Sequence, residues 1–95
     1  MYVNSNLVVT AWQGDSLIGI ARALTDFCYS CYLADLAVRK DFQKKGVGRK
    51  LIAMVKEKVG PQTSLLLLSA PDAIKFYPKA GFDEVENGFI IKRTE

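Results

Sequence analysis

The residues best suited to chemistry stand together between Gln43 and Lys50, in the order Gln-Lys-Lys-Gly-Val-Gly-Arg-Lys. An apolar stretch ending at Val38 precedes them and a helical pattern ending at Val59 follows, so they form the turn between a strand and a helix. Such a turn points backbone N–H groups out of the positive end of a helix dipole, where anions bind. Its two glycines let a ligand approach the backbone without a β-carbon in the way. The pattern predicts a phosphate site.

The distribution of charge also favours a phosphate. The 95 residues carry a net charge of +3, but six of the thirteen cations lie in residues 39–50 beside one anion, Asp41, for a local charge of +5. Cations at the start of a helix oppose its dipole by about 0.3–1 kcal/mol each, and a bound phosphate reverses that penalty. The alternative is a set of solvated lysines beside an ordinary turn. A nucleic-acid site is disfavoured, because Phe42 is the only nearby aromatic and RNA-binding surfaces interleave several.

Two common phosphate-binding motifs do not fit this turn. The Walker motif needs four residues between its glycines, whereas one residue separates Gly46 from Gly48. The dinucleotide fingerprint needs a third glycine at the position of Leu51.

The elements ahead of the turn follow from the apolar pattern. Segments Leu7–Trp12 and Leu17–Leu24 flank a turn at Gln13–Ser16 and predict a β-hairpin. A third strand is predicted at Tyr29–Val38, and it is apolar on both faces except at Asp35.

The helix after the turn ends at Gly60-Pro61, because glycine suits a left-handed cap and proline cannot continue a helix. Its apolar face recurs at helical spacing. A short buried strand is predicted at Ser64–Ser69, and a strand–helix–strand crossover of this length makes it parallel to Tyr29–Val38. The apolar face comprises Val47, Leu51, Met54, Val55 and Val59.

A second helix is predicted from Pro71, with Asp72 as its N-cap, Ala73–Tyr77 as its body and Gly81 at its C-terminus. Pro78 lies inside it and would bend or shorten it.

The last residues predict a second hairpin, with strands at Phe82–Glu86 and Phe89–Arg93 around an Asn87-Gly88 turn. The order of elements predicts one α+β domain over residues 1–95. Its mixed, mostly antiparallel sheet would hold a central parallel pair and pack against two helices.

The apolar runs, such as Leu65–Leu68, are shorter than the roughly 20 residues of a membrane helix. The N-terminus has no basic head or apolar signal core, so a cytoplasmic location is expected. Cys28 and Cys31 have C-x-x-C spacing, but positions i and i+3 of a strand face opposite sides and the chain has no histidine. No metal or redox function is predicted.

The segment Gln43–Gly48 matches the Q/R-x-x-G-x-G/A motif of the GNAT superfamily of N-acetyltransferases. Asp35–Val38 resembles the end of their fourth strand, and Phe76–Phe82 is similar to their second signature, F-Y-x-K-x-G-F. The two motifs stand in the family's order, with a helix and a strand between them. The resemblance covers residues 7–93. It implies a GNAT-like fold and acetyl-CoA-dependent transfer to a primary amine of a small molecule or peptide.

The resemblance also implies a donor site. The pyrophosphate of acetyl-CoA would lie on backbone N–H groups of the loop, and the pantetheine arm would pair with the end of the third strand. Asp72 and Phe76 would line the cofactor, and Lys79, Lys50 or Arg39 would meet the 3′-phosphate. The loop residues are Gln43, Lys44, Lys45, Gly46, Val47, Gly48 and Arg49, and the strand residues are Leu36, Ala37 and Val38.

For catalysis, Tyr77 matches the family tyrosine that protonates the departing thiolate of CoA. The amine would attack the thioester directly while N–H groups at a strand end polarise the carbonyl. Asp35 is the candidate base that takes the amine's proton. Alternatively, Asp35 fixes the strand or a bulge and Tyr77 is a core aromatic. Ser69 could serve in either role.

The chain departs from the family pattern ahead of Leu7, where a strand and two helices usually wall the acceptor site and only six residues stand here. The acceptor pocket would then be open, supplied by a partner subunit, or absent. A homodimer is therefore an expectation, and a non-catalytic acyl-CoA-binding or regulatory module is the alternative function. Asp72 stands where asparagine is frequent, and Pro78 could shift Tyr77 away from the sulfur.

Overall fold

The computed structural model describes residues 5–92 and Thr94. Its sheet has the strand order β1-β2-β3-β4, in which the first three strands are antiparallel and β4 runs parallel to β3. This arrangement confirms the predicted α+β class. The strands are β1 Leu7–Gln13, β2 Ser16–Thr25, β3 Ser30–Val38 and β4 Ser64–Leu66, the helices are α1 Val47–Val59 and α2 Phe76–Lys79, and short 3₁₀ turns lie at Lys40–Phe42 and Pro71–Ala73.

The predicted first hairpin is confirmed. Gln13 pairs with Ser16 across a tight turn in which Gly14 has a φ of 60°, a left-handed conformation that glycine adopts without strain. The predicted third strand is also confirmed, starting one residue later, at Ser30.

Strand β3 contains a bulge at Ala34. Arg22 of β2 pairs with Asp35, but the next residue, Ala23, pairs with Leu33, so Ala34 is left without a partner. The extra residue changes which side chains face the core. Before the bulge Leu33 is buried against α1, whereas after it Leu36 packs against the core and Asp35 turns to the opposite face.

Helix α1 covers one face of the sheet and forms the core with it. Its start and its end at Gly60 confirm the predicted bounds, and Gly60 has a φ of 90°. Met54 is the one residue of the predicted apolar face that is exposed. The core residues are Leu51, Ile52, Val55 and Val59 of the helix and Ala21, Ala23, Cys31 and Leu33 of the sheet.

The second half of the chain is less regular than predicted. Strand β4 runs parallel to β3 as expected, but it ends at Leu66, not Ser69. Asp72 is not an N-cap, because Ala70 holds that position and Pro71 supplies the first residue of a 3₁₀ turn. Helix α2 begins only at Phe76, which places Pro78 third in the helix, where a missing N–H costs no intrahelical bond.

The predicted C-terminal hairpin is wrong for residues 82–92, which contain no strand, and Arg93 lies outside the described residues. An isolated two-stranded hairpin is marginal in water unless one face is buried. Here Phe82 of the first predicted strand packs against the core, but Phe89 and Ile91 of the second are each 99% exposed, so the second strand has no buried apolar face at these positions. The parallel pair consequently lies at the edge of the described sheet and not at its centre. None of the described helices is long and apolar enough to cross a membrane.

Candidate acyl-CoA site

The parallel strands β3 and β4 stay together for only three residues. Their pairing ends at Tyr32 and Leu66, and β3 continues to Val38 without β4 beside it. We call the gap beyond Tyr32 the slot. An unpaired strand edge offers N–H and carbonyl groups to an extended ligand, which can bind like an added strand.

Alternate residues of β3 point their backbone N–H and carbonyl groups into the slot. The N–H of Arg39 donates to the carbonyl of Ile18 in β2 at 2.8 Å. In an antiparallel pair, successive residues point their backbone groups to opposite sides. Leu36 and Val38 therefore turn their groups toward the slot, whereas Ala37 turns its groups toward β2.

The loop after β3 presents unbonded N–H groups. Lys44 and Gly46 have left-handed backbones, with φ of 66° and 83°. The first helical hydrogen bond runs from the N–H of Lys50 to the carbonyl of Gly46 at 3.1 Å. Among the described residues, the N–H groups of 44–49 donate to no protein acceptor. They form a cradle at the N-terminus of a 13-residue helix that has no acidic residue in its first turn.

Gln43 ties this loop to the strand. Its side-chain Nε2 donates to the carbonyl of Val38 at 3.0 Å. The side chain therefore fixes where the loop leaves β3, and one slot-facing carbonyl, that of Val38, already has a partner.

The predicted cations surround the cradle. Lys44, Lys45, Arg49 and Lys50 are all exposed. The Phe42 ring lies 5.4 Å from Lys45 Nζ and 5.8 Å from the Arg39 guanidinium carbon. An exposed ion pair of 3.4 Å also links Arg39 to Asp41.

Phe76 joins the two predicted motifs. A β-carbon built on Gly48 would lie 3.2 Å from Cζ of Phe76, so the absence of a side chain at Gly48 lets the ring pack against the start of α1. This contact gives Gly48 a packing role beside the one predicted from ligand approach. Asp72 and Lys79 are exposed on the segment that carries Phe76.

Tyr77 packs edge-on between two rings, with centroid distances of 5.1 Å to Phe76 and 5.5 Å to Phe82. Its pKa is raised by burial. Tyr77 and Ser69 both line a cavity of about 590 Å³ between β4 and the C-terminal segment. The structure thus places the two candidates on one cavity.

Asp35 lies apart from Tyr77, on the face of the sheet opposite α1, and it does not line that cavity. Its Oδ2 accepts a hydrogen bond from Nε of Arg22 at 2.5 Å. Sequence reasoning offered a bulge as the alternative role of Asp35, but it missed Arg22 and did not place the bulge at Ala34. The signal available in the sequence was that Arg22 is the lone cation of β2 and Asp35 the lone carboxylate of β3, which suggests that the two pair.

Cys28 is exposed in the turn before β3 and Cys31 is buried in the core, and both thiols are free. Burial raises the pKa of the Cys31 thiol.

Comparison with known proteins identifies the family of this chain. The sequence profile of the acetyltransferase (GNAT) domain matches residues 1–92. The chain belongs to the GNAT family of acetyltransferases. A relative of this GNAT chain, the uncharacterized N-acetyltransferase ycf52 of Porphyra purpurea, is 34% identical over 91 residues, which cover 90% of this chain and 52% of the relative. The chain spans about half the length of the ycf52 relatives it matches.

Solved GNAT structures share the fold. The GNAT family protein SP0256 of Streptococcus pneumoniae superposes with a TM-score of 0.74 at 25% identity, covering 96% of this chain and 74% of that one. The aminoglycoside N-acetyltransferase AAC(6′)-Iy, solved in complex with CoA, superposes with a TM-score of 0.75 at 20% identity, covering 98% of this chain and 71% of that one.

Proposed function

We propose that this GNAT chain binds acetyl-CoA and transfers its acetyl group to a primary amine of a small molecule or peptide, with residues 1–95 acting as one domain. The observation that carries the proposal is the separation of β3 from β4 after Tyr32, directly ahead of the N–H cradle of residues 44–49. The free edge of β3 suits the pantetheine arm of CoA, and the N-terminus of α1 suits its pyrophosphate.

The pantetheine arm would lie in the slot and pair with Leu36 and Val38. The pyrophosphate would lie on the N–H groups of residues 44–49, with Lys44, Lys45 and Arg49 adding charge-assisted contacts. Phe76 and Asp72 would form the outer wall. Arg39, Lys50 and Lys79 are the candidates for the 3′-phosphate. The complex of AAC(6′)-Iy with CoA supports a CoA ligand for this fold.

The reaction would be a direct transfer. The neutral amine forms a bond to the thioester carbon, the C–S bond then breaks, and the sulfur leaves with the electron pair. The Tyr77 hydroxyl would donate a proton to that thiolate. A tyrosine hydroxyl is protonated at neutral pH, and burial raises the Tyr77 pKa further. The amine nitrogen loses its proton to a base. Asp35 is the proposed base, although its pairing with Arg22 leaves only Oδ1 without a hydrogen bond among the described residues.

A non-catalytic acyl-CoA-binding module is the second candidate. The face of the sheet opposite α1 favours it, because large apolar side chains there stay open to solvent within residues 5–92. Trp12, Leu24 and Tyr32 are 57%, 41% and 40% exposed.

Two measurements separate these functions. Calorimetric titration with acetyl-CoA tests the donor site, and we expect saturable binding together with a rise in melting temperature. Release of free CoA thiol over a panel of small amines and peptides then tests transfer. Absence of binding at millimolar acetyl-CoA would exclude both candidates, and binding without amine-dependent thiol release would select the non-catalytic module.

A further inference from the structure

The pairing of Arg22 with Asp35 lies at the point where β3 changes its course. The two residues are directly opposite each other across β2 and β3, and the unpaired Ala34 follows immediately in the register. Their side chains meet at 2.5 Å between Nε and Oδ2. The Arg22 side chain is 14% exposed and that of Asp35 is 43% exposed, so solvent screens this contact only partly.

The ion pair favours the strand register that contains the bulge over the register without it. A slip of one residue moves every following side chain of a strand to the other face. Without the extra residue at Ala34, Asp35 would face the apolar core beneath α1, where an unpaired carboxylate is strongly disfavoured. With it, Asp35 faces Arg22, and Leu36 and Val38 pack against the core.

The bulge also coincides with the opening of the slot. Pairing of β3 with β4 ends at Tyr32, two residues before Ala34. A bulge bends its strand and increases the local twist, which carries the rest of the strand away from its neighbour. The register of Ala34 therefore decides both how wide the slot opens and which residues of β3 turn their backbone groups into it.

We infer that Arg22 is a positioning residue for the acyl donor: through Asp35 it fixes the bulge at Ala34, and the bulge sets the slot that receives the pantetheine arm. This inference rests on the proposed function, because it assigns the slot to acetyl-CoA. It also explains Asp35 without a proton-transfer role, so the two roles make different predictions. A base acts on the rate of acetyl transfer, whereas a positioning pair acts on the binding of CoA itself.

Calorimetric titration with CoA on three variants tests the inference. Arg22→Met should weaken CoA binding by about tenfold or more, and Asp35→Asn should do the same. The charge-swapped double variant, Arg22→Asp with Asp35→Arg, should restore affinity to within about threefold of the wild type. Ser5→Ala is the matched control, because it removes a different Arg22 hydrogen bond, from Nη1 to Ser5 Oγ, and leaves the ion pair intact. Its affinity should stay within about twofold.

Hydrogen exchange gives a readout that needs no CoA. In the wild type, the N–H of Ala37 should be protected by β2 and that of Leu36 should exchange quickly. Arg22→Met should abolish or reverse this contrast. Wild-type CoA affinity in folded Arg22→Met and Asp35→Asn overturns the inference. If Arg22→Met does not fold, the CoA affinity of the charge-swapped double variant is the deciding measurement. Failure of that variant to restore CoA binding overturns the inference. Absence of CoA binding by the wild type overturns the proposed function, and exchange at Leu36 and Ala37 still tests the bulge.

Discussion

The ring of Phe76 lies against Gly48, 3.2 Å from where a β-carbon of that residue would be. The two residues belong to the two sequence motifs, which are 28 positions apart in the chain. Their contact brings the start of α2 to the N-terminus of α1 and so joins the two motifs in space.

Replacing Gly48 by alanine separates stability from ligand binding. Alanine favours a helix over glycine by about 1 kcal/mol, and the half-buried Phe76 ring can yield by a few tenths of an ångström. We therefore expect Gly48→Ala to keep or raise the free energy of unfolding while weakening CoA binding. Urea unfolding and calorimetry measure the two effects. The double variant with Phe76→Leu should recover part of the affinity, and no recovery would mean that the ring is not the affected wall.

The left-handed backbone of Gly46 leads to a second prediction. Its φ is 83°, and a β-carbon there would meet no other atom within 4 Å, so only backbone strain opposes a side chain. Gly46→Ala should cost about 1–2 kcal/mol of stability and also weaken CoA binding. Gly14→Ala is the matched control, because Gly14 is left-handed and unobstructed in the distant first hairpin. It should lose similar stability and keep its CoA affinity. Equal loss of affinity in both variants would contradict a role for the loop.

Tyr77 should affect turnover rather than binding. A general acid typically contributes a factor of about 10²–10⁴ to the rate, so Tyr77→Phe should lower kcat at least about a hundredfold with little change in CoA affinity. Because burial raises the Tyr77 pKa above its ordinary value, the hydroxyl stays protonated between about pH 6 and 9. The wild-type rate should therefore show no fall caused by Tyr77 in that range. Tyr29→Phe, in an exposed turn, is the control. An unchanged rate in Tyr77→Phe removes the acid from the mechanism.

Asp26 should make stability depend on pH. Its Oδ1 accepts hydrogen bonds from the N–H groups of Cys28, Tyr29 and Ser30. These bonds, the one from Tyr29 first, lower its pKa below the ordinary value of 3.8. The folded state therefore binds this proton less readily than the unfolded chain. The stabilisation is present above about pH 3.8 and is lost as the pH falls through the folded pKa.

Melting temperature measured from pH 7 down to about pH 2 tests this dependence. Asp26→Asn keeps an oxygen acceptor without the carboxylate, so it should melt lower at neutral pH and lose less on acidification. Asp15→Asn controls for the removal of one negative charge from a turn. If Asp26→Asn lost as much melting temperature on acidification as the wild type, the Asp26 carboxylate would not be a source of the pH dependence.

The sequence predicts the elements that local chemistry defines. The apolar spacing of α1 and the glycine at position 60 set that helix, and Gly14 sets the first hairpin. A bulge is one alternative for Asp35, but its position at Ala34 could not be predicted, because the other residues of β3 are apolar on both faces and do not mark where the phase changes. Only the partner strand shows it, through Arg22.

The errors lie in the second half of the chain, where local signals compete. Asp72 resembles an N-cap, but Pro71 beside it is better suited to the first position of a turn, so the cap moves to Ala70. The Asn87-Gly88 pair is a strong hairpin signal, yet a hairpin needs a neighbouring edge or a buried face, and neither is encoded in the turn itself. For the candidate site, the motif predicts the loop, whereas the role of Gly48 depends on a tertiary contact with Phe76.

The short parallel ladder between β3 and β4 has a thermodynamic consequence. β3 is tied to β4 by three residue pairs, whereas it pairs with β2 from Cys31 to Val38 and shares the core with α1, so we expect the segment from β4 onward and the rest of the domain to be separate cooperative units. Local opening of residues 64–82 would cost less free energy than global unfolding. A ligand that contacts both sides of the slot would therefore couple these units. Part of its binding free energy would be used to suppress the local opening of residues 64–82.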